Sequence, residues 1–278
     1  QLAATLLALM AREDVLSAQP QRWLGAGGTP TTDEEYAGEL TLSPSQFERA
    51  LACPLRWFLT TIGADAPSNA AASLGTLIHA VAEEHPHGTP EELTEALEAR
   101  IEELGYNLDT WAGRVADRHA RDIVNNLASY VIGVPGEVTV EQTVSAEVEG
   151  VTIRGRMDRL EHVDEGVRVT DLKTGKSGYS AKTVPDNPQL AAYQMAMLAS
   201  GERVAGARIA LLGGDKPKYF DQPRLEGQIL EEWHDKLRSV SADARGPYFE
   251  ARPSDAACAY CSFDRLCPAR ERGRKVVE

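Results

Sequence analysis

The segment from Gly155 to Lys176, GRMDRLEHVDEGVRVTDLKTGK, constrains this chain more than any other. Val151–Leu160 alternates apolar and polar residues, Asp164-Glu165-Gly166 supplies turn chemistry, and Val167–Lys173 alternates again. That pattern predicts two antiparallel strands joined by a tight turn. Strand side chains repeat with period two, so Asp171 and Lys173 share one face while Leu172 points away. Asp158 comes late in the partner strand, where it can lie near Asp171. Two carboxylates beside one lysine suit a hard divalent cation and a phosphate. The carboxylates give oxygen ligands to an ion that keeps several waters, and the ammonium gives a compact positive charge. A lone D-x-K would be an ordinary solvated pair, so the flanking residues matter.

The 278 residues can bury a substantial core, as one large domain or two small ones. No apolar run approaches the roughly 20 residues of a membrane span. The opening QLAATLLALMARED lacks the basic start and cleavage site of a signal peptide. It reads as a helix cut from a longer parent chain. Residues 1–40 read as that helix and a linker through Ala26-Gly27-Gly28-Thr29-Pro30, with the folded unit beginning near Leu40. A net charge of −13 is awkward for a nucleic-acid binder. Acidic residues concentrate in Glu83–Glu103, however, and charge beyond about 8 Å is heavily screened at physiological salt. Lys173, Lys176, Lys182, Lys216 and Lys218 are the candidates for a DNA path.

Ser43-Pro44-Ser45-Gln46 reads as a capped helix start, followed by an apolar face of Phe47, Leu51, Leu55, Phe58 and Leu59 that Cys53-Pro54 interrupts. Ala70–Glu84 predicts a helix with His79 and Glu83 one turn apart. Glu91–Glu103 and Thr110–Tyr130 predict amphipathic helices, with Trp111, Val115, Ile123, Val124 and Leu127 expected in the core. Glu137–Glu149 predicts a half-buried strand with Glu141 on its polar face. Asn187-Pro188 opens a helix to about Ser200 that places Gln189 and Tyr193 on one face. Arg208–Leu212 and Gly227–Ala244 predict a buried strand and a helix.

Gly155, Asp158, Arg159, Asp171, Lys173, Thr174 and Gly175 together resemble the G-x-x-D-R and D-x-K-T-G pattern of the PD-(D/E)XK nuclease superfamily, in particular its RecB-type nuclease domain. Met157 stands where the superfamily's name puts proline. The resemblance runs over about residues 41–270. It implies an α/β restriction-endonuclease-like fold, a mixed central sheet flanked by helices. It also implies a division into residues 1–40, a helix and linker from a preceding helicase domain, and 41–278, the nuclease domain.

The implied activity is Mg²⁺- or Mn²⁺-dependent hydrolysis of DNA, single-stranded and fed by a motor during double-strand break repair. Asp158 and Asp171 would hold the ion, with the Leu172 carbonyl and His79, which lies in a G-T-x-x-H segment, as further ligands. Lys173 would orient or stabilise the nucleophile. Gln189 and Tyr193, in a Q-L-x-x-Y motif, and Glu141 would support the site. The implied setting is a cytoplasmic, nucleoid-associated bacterial helicase–nuclease of the RecBCD, AddAB and AdnAB kind, with a partner helicase–nuclease subunit and no membrane. The rivals are a nuclease-shaped module that only guides DNA or scaffolds such a complex, and a zinc-stapled interaction module.

Four cysteines complete the pattern: Cys53, then Cys258-x₂-Cys261-x₅-Cys267. Nothing marks an oxidising compartment, so the C-x₂-C spacing points to a metal centre rather than disulfides. Spacing alone leaves Zn²⁺ and an iron–sulfur cluster open. The resemblance implies a [4Fe–4S] cluster, since a subset of RecB-type nucleases places one cysteine before the core and three after it.

Overall fold

The computed structural model describes residues 2–19, 33–64, 70–134, 136–259, 261–265 and 267–270. Helix α1 (Leu2–Arg12) comes first, and the expected linker falls largely on residues 20–32, outside the described residues. Strand β1 (Leu40–Leu42) runs into helix α2 (Pro44–Ala52) through the expected capping box. Ser43 Oγ accepts the Gln46 N–H at 3.1 Å and Gln46 Oε1 accepts the Ser43 N–H at 2.8 Å. Pro54 cannot donate to the helical ladder, so Cys53 ends α2 and opens a separate helix, α3 (Pro54–Thr61). Helices α4 (Ala70–Glu84), α5 (Pro90–Arg100) and α6 (Trp111–Gly133) follow.

The sheet is then laid down by β2 (Val138–Val148), β3 (Val151–Val163) and β4 (Gly166–Lys173). After helix α7 (Pro188–Ala199) come β5 (Val204–Leu211) and β6 (Lys218–Pro223). Helices α8 (Gly227–Ala244) and α9 (Asp255–Cys258) end the described fold. The order is β1-β3-β4-β5-β6 with β2 also on β3, and the pairing is mixed: β1–β3 and β4–β5 run parallel, the others antiparallel. This is the mixed central sheet that the sequence led us to expect. Among the described residues no helix is long and apolar enough to cross a membrane.

Pairing along β3 positions everything that follows. One edge is taken by β2 from Val151 to Glu161. On the other edge β1 holds only Val151–Ile153, and β4 holds only Arg159–Val163. Between them, residues 154–158 have no neighbour on that side among the described strands, and the sheet forks there. The alternation of β3 breaks at the same place, because Met157 and Leu160 both enter one core cluster. A strict period of two would put them on opposite faces.

Helices cover both faces. Phe47, Met157, Val169, Leu190, Met195, Ile209 and Trp233 build one core beneath α2, α7 and α8. Leu77, Leu93, Ile123, Leu127, Leu172 and Leu212 build the other beneath α4, α5 and α6. Trp111 and Val115 depart from expectation: they are 75% and 43% exposed. Helix α6 has 23 residues against 11 in its neighbour α5, roughly 35 Å against 16 Å. The longer helix leaves Trp111 and Val115 at its start largely uncovered, although Gly113 between them is buried.

Gly155 lies in the fork and is required by packing. A Cβ there would sit 2.7 Å from Pro44 Cδ and 3.1 Å from Tyr193 Cε1. Pro44 is fixed as the first residue of α2, so the overlap has no easy relief. Gly155→Ala should lower stability by about 1–3 kcal/mol, whereas Gly133→Ala, with nothing within 4 Å of its Cβ, should not. Equal melting temperatures for the two variants would refute this account of Gly155.

Candidate active site

The fork brings most of the expected residues together. Past the Arg159–Thr170 pair, β3 and β4 stop exchanging main-chain hydrogen bonds. The Asp158 side chain takes over, its Oδ2 accepting the Leu172 N–H at 2.7 Å. The carboxylate of β3 is thereby held against the main chain of β4, one residue from Asp171. Asp158 Oδ1 faces His79 Nδ1 from α4 at 3.1 Å. For Leu172 the structure thus gives an N–H bonded to Asp158 and a buried side chain in the core.

Asp171 and Lys173 point to the same face, as their spacing requires, with Lys173 Nζ 2.8 Å from Asp171 Oδ2. Gln189 clamps the pair from α7: its Nε2 donates to Asp171 Oδ1 at 2.8 Å, and its Oε1 accepts from Lys173 Nζ at 3.1 Å. Gln189 is placed by the start of α7, where Asn187 Oδ1 caps the Leu190 N–H at 2.8 Å. One turn on, Tyr193 donates to the Arg156 carbonyl at 2.8 Å, tying α7 to the open edge of β3. Tyr193 makes no hydrogen bond to Asp158 or Asp171 and acts on the site as part of its wall. Glu141 has a positive φ of 53°, and its carboxylate is ion-paired with Arg156. It stands near enough to Asp158 and His79 to feel their charge, without touching them.

Electrostatics separate the groups. Burial pushes the Asp171 carboxyl up to about 6, and the Asp158 charge adds to this against the pull of Lys173. Burial opposes charge on Lys173, but Asp171, Tyr179 and Asp158 together outweigh it, leave its pKa raised and keep the amine protonated. Burial also opposes charge on His79, but the Asp158 hydrogen bond and nearby carboxylates leave its pKa raised.

Sequence reasoning missed Glu48. It reaches the site from α2, accepts from Asn187 Nδ2 at 3.3 Å, and lies within reach of the Lys173 charge. Burial raises its pKa. Its position one turn after a strong capping box, on a helix otherwise reading as apolar packing, offered a weak signal. Also missed was the support below the fork. Arg159 is fully buried, donates to the Pro86 carbonyl at 2.9 Å, and lies near Glu161, which is bonded to Tyr130 and Arg168. Of the lysines expected to line a nucleic-acid path, Lys173 reaches the carboxylates. Lys176 lines a separate cavity of about 300 Å³ with His119 and Gly213.

Among the described residues no three His, Cys, Asp or Glu side chains are grouped as a ready-made metal site. The donors at the fork nevertheless fit a hard cation. Asp171 Oδ2 is buried, and the positive charges that compensate it are those of Lys173, 2.8 Å away, and His79. Mg²⁺ commonly takes one or two carboxylates and completes its shell with water and substrate phosphate. The cysteines are all free and half-buried. Cys258 and Cys261 line a polar cavity of about 460 Å³, and the Arg270 guanidinium feels both Cys258 and Cys267. The Cys53 segment lies against this region: Arg56 donates to the Ala257 carbonyl at 2.9 Å and Phe58 stacks on Phe249 at 4.0 Å.

Comparison with known proteins gives a family and two distant structural likenesses. The sequence profile of the PD-(D/E)XK nuclease superfamily matches residues 41–268. The solved structure of SSO0001 aligns at a TM-score of 0.43 and 15% identity, covering 97% of this chain and 98% of its own. A candidate exonuclease of Eubacterium rectale aligns at a TM-score of 0.47 and 13% identity, covering 84% and 92%. No curated protein sequence matches.

Proposed function

Because this chain belongs to the PD-(D/E)XK nuclease superfamily, we propose that the fork between β3 and β4 is the active site of a metal-dependent deoxyribonuclease. The observation that carries the reading is the Asp158–Asp171–Lys173–Gln189 grouping, assembled from two strands and a helix where, among the described strands, β3 has a gap between β1 and β4 along one edge. Asp158 and Asp171 would hold Mg²⁺ or Mn²⁺, with His79 and the Leu172 carbonyl as further ligands. Such an ion, when bound, lowers the pKa of a water and offsets charge on the phosphate. Lys173 keeps its proton beside the carboxylates and presents its positive charge to the attacking oxygen or the phosphate. Gln189 fixes the rotamers of Asp171 and Lys173 at once, and Tyr193 holds α7 to β3. Glu141 lies near Asp158 and His79, and Glu48 near Lys173.

The RecB-type pattern supports a finer reading. The substrate would be single-stranded DNA delivered by a helicase domain of the same parent chain, within a bacterial, nucleoid-associated helicase–nuclease with a partner subunit, of the AddAB and AdnAB kind. The four cysteines would carry a [4Fe–4S] cluster, with Zn²⁺ as the alternative. What favours a shared metal is the contact of the Cys53 segment with residues 249–258.

The test is a cleavage assay on single- and double-stranded DNA with Mg²⁺, Mn²⁺ or EDTA. Lys173→Met should cut the rate by about 10²–10³-fold while calorimetry shows a cation still bound. Cleavage in EDTA, or none by the parent with either metal, would refute the reading. Loss of metal affinity with unchanged turnover in Lys173→Met would refute the role given to the lysine.

A further inference from the structure

We infer that the groove between α2–α3 and the 255–258 turn is a second phosphate-binding subsite, in which Arg49 and Arg56 hold the backbone of the nucleic-acid strand beyond the point of cleavage. The inference rests on the nuclease reading above for its ligand and extends it to a surface made partly by the cysteine-bearing segment. The groove has a volume of about 360 Å³ and is lined by Ser45, Glu48, Arg49, Arg56 and Ala257.

Three features point to a polyanion. First, the groove borders the candidate active site, because Glu48 lines it and also lies within reach of the Lys173 charge. Second, two arginines line it on a chain whose net charge is −13. Neither forms an ion pair with a described residue, whereas Arg100, Arg121, Arg156, Arg168, Arg208, Arg238 and Arg252 do. Third, Arg56 is fixed in advance. One of its amino groups donates to the Ala257 carbonyl at 2.9 Å, leaving the other donors of the planar fork for a ligand. The one carboxylate in the lining is Glu48, whose pKa burial raises.

The arrangement makes the C-terminal turn one wall of the substrate groove. A strand entering or leaving the fork would cross α2 at Arg49 and meet Arg56 where α3 touches Ala257. These contacts read no base, so the subsite positions the strand without choosing its sequence.

The experiment separates binding from cutting. Anisotropy of a short fluorescent single-stranded DNA, read in EDTA across a salt series, reports binding by the whole chain. Arg49→Gln should weaken binding about tenfold and flatten the log Kd against log salt slope by about 0.7. Arg49→Lys, which keeps the charge, should restore the slope. Arg56→Gln should act the same way, with circular dichroism and a melt checking that loss of the Ala257 contact has not loosened the fold. Arg49→Gln has no such contact at risk. Arg224→Gln, outside the groove, should bind like the parent. A double Arg49→Gln, Arg56→Gln protein that binds DNA with parental affinity and slope would overturn the subsite, even if it still cuts with Mg²⁺. A parent that binds DNA through these arginines but never cuts would sink the nuclease reading and leave the subsite standing.

Discussion

Asp171→Asn should abolish metal-dependent cleavage and at the same time make the metal-free protein more stable near neutral pH. The two effects have one cause. Asp171 is buried beside Asp158, and its carboxyl is pushed from 3.8 up to about 6, burial being the largest contribution. A group that binds its proton more tightly when folded favours the fold fully below its unfolded pKa. That stability is lost as pH rises through the folded value. Between about pH 4 and 6 the parent should therefore lose stability, on the order of 3 kcal/mol by pH 7. Asparagine keeps the shape and the Gln189 contact without the charge, so urea unfolding in EDTA should show the variant more stable at pH 7 and level with the parent at pH 4. Added Mg²⁺ should stabilise the parent and leave the variant unmoved, since only a bound ligand shifts the equilibrium. Residual cleavage in Asp171→Asn would remove this residue from the site. A variant less stable than the parent at pH 7 would show that the Lys173 attraction outweighs burial.

Cys261→Ala should have the largest effect on folding. If Cys53, Cys258, Cys261 and Cys267 share one metal centre, it closes a loop of some 200 residues. The loop-entropy argument for covalent links then assigns it about 5 kcal/mol. The bare polypeptide already has contacts across this junction, including Leu55 N–H to the Glu250 carbonyl at 3.1 Å and the Phe58–Phe249 stack. The variant should therefore be soluble in part, with protease cutting concentrated around α3 and residues 250–267. Anaerobically purified parent should contain iron and sulfide and absorb near 400 nm, and the variant should lose both. Activity should fall with the folded fraction, and beyond it only as far as the α3–Ala257 wall of the DNA groove is lost, because the Asp158–Asp171 grouping is built on other elements. Zinc in place of iron would keep the staple and change its metal. A variant that lacks metal yet melts like the parent would show that the centre is not structural.

How far such features were legible depended on whether their cause was local. The two strands around Asp164-Glu165-Gly166 and the box at Ser43 follow from neighbours in sequence, and both formed where the residues put them. So did the shared face of Asp171 with Lys173, and of Gln189 with Tyr193, since the periods of strand and helix fix them. Strand β1 was missed because three residues carry no pattern, and its parallel partner is more than a hundred residues away. Strand β6 was missed for a similar reason, its exposed face giving little alternation. Trp111 and Val115 looked like core because periodicity reports a face but not whether anything covers it.

By itself, then, the sequence determined the hairpin, the helix starts, the kinds of chemistry available and the family pattern that joins them. Only the tertiary structure decided that β1 and β4 share one edge of β3 and leave a gap between them. It alone turned the Asp158 carboxylate onto the Leu172 N–H, swung Glu141 toward Arg156, and brought Glu48 up to Lys173. The physical reason is that each of these depends on where distant segments exclude water and on which polar groups they leave to be satisfied. Periodicity along a single segment carries no record of either.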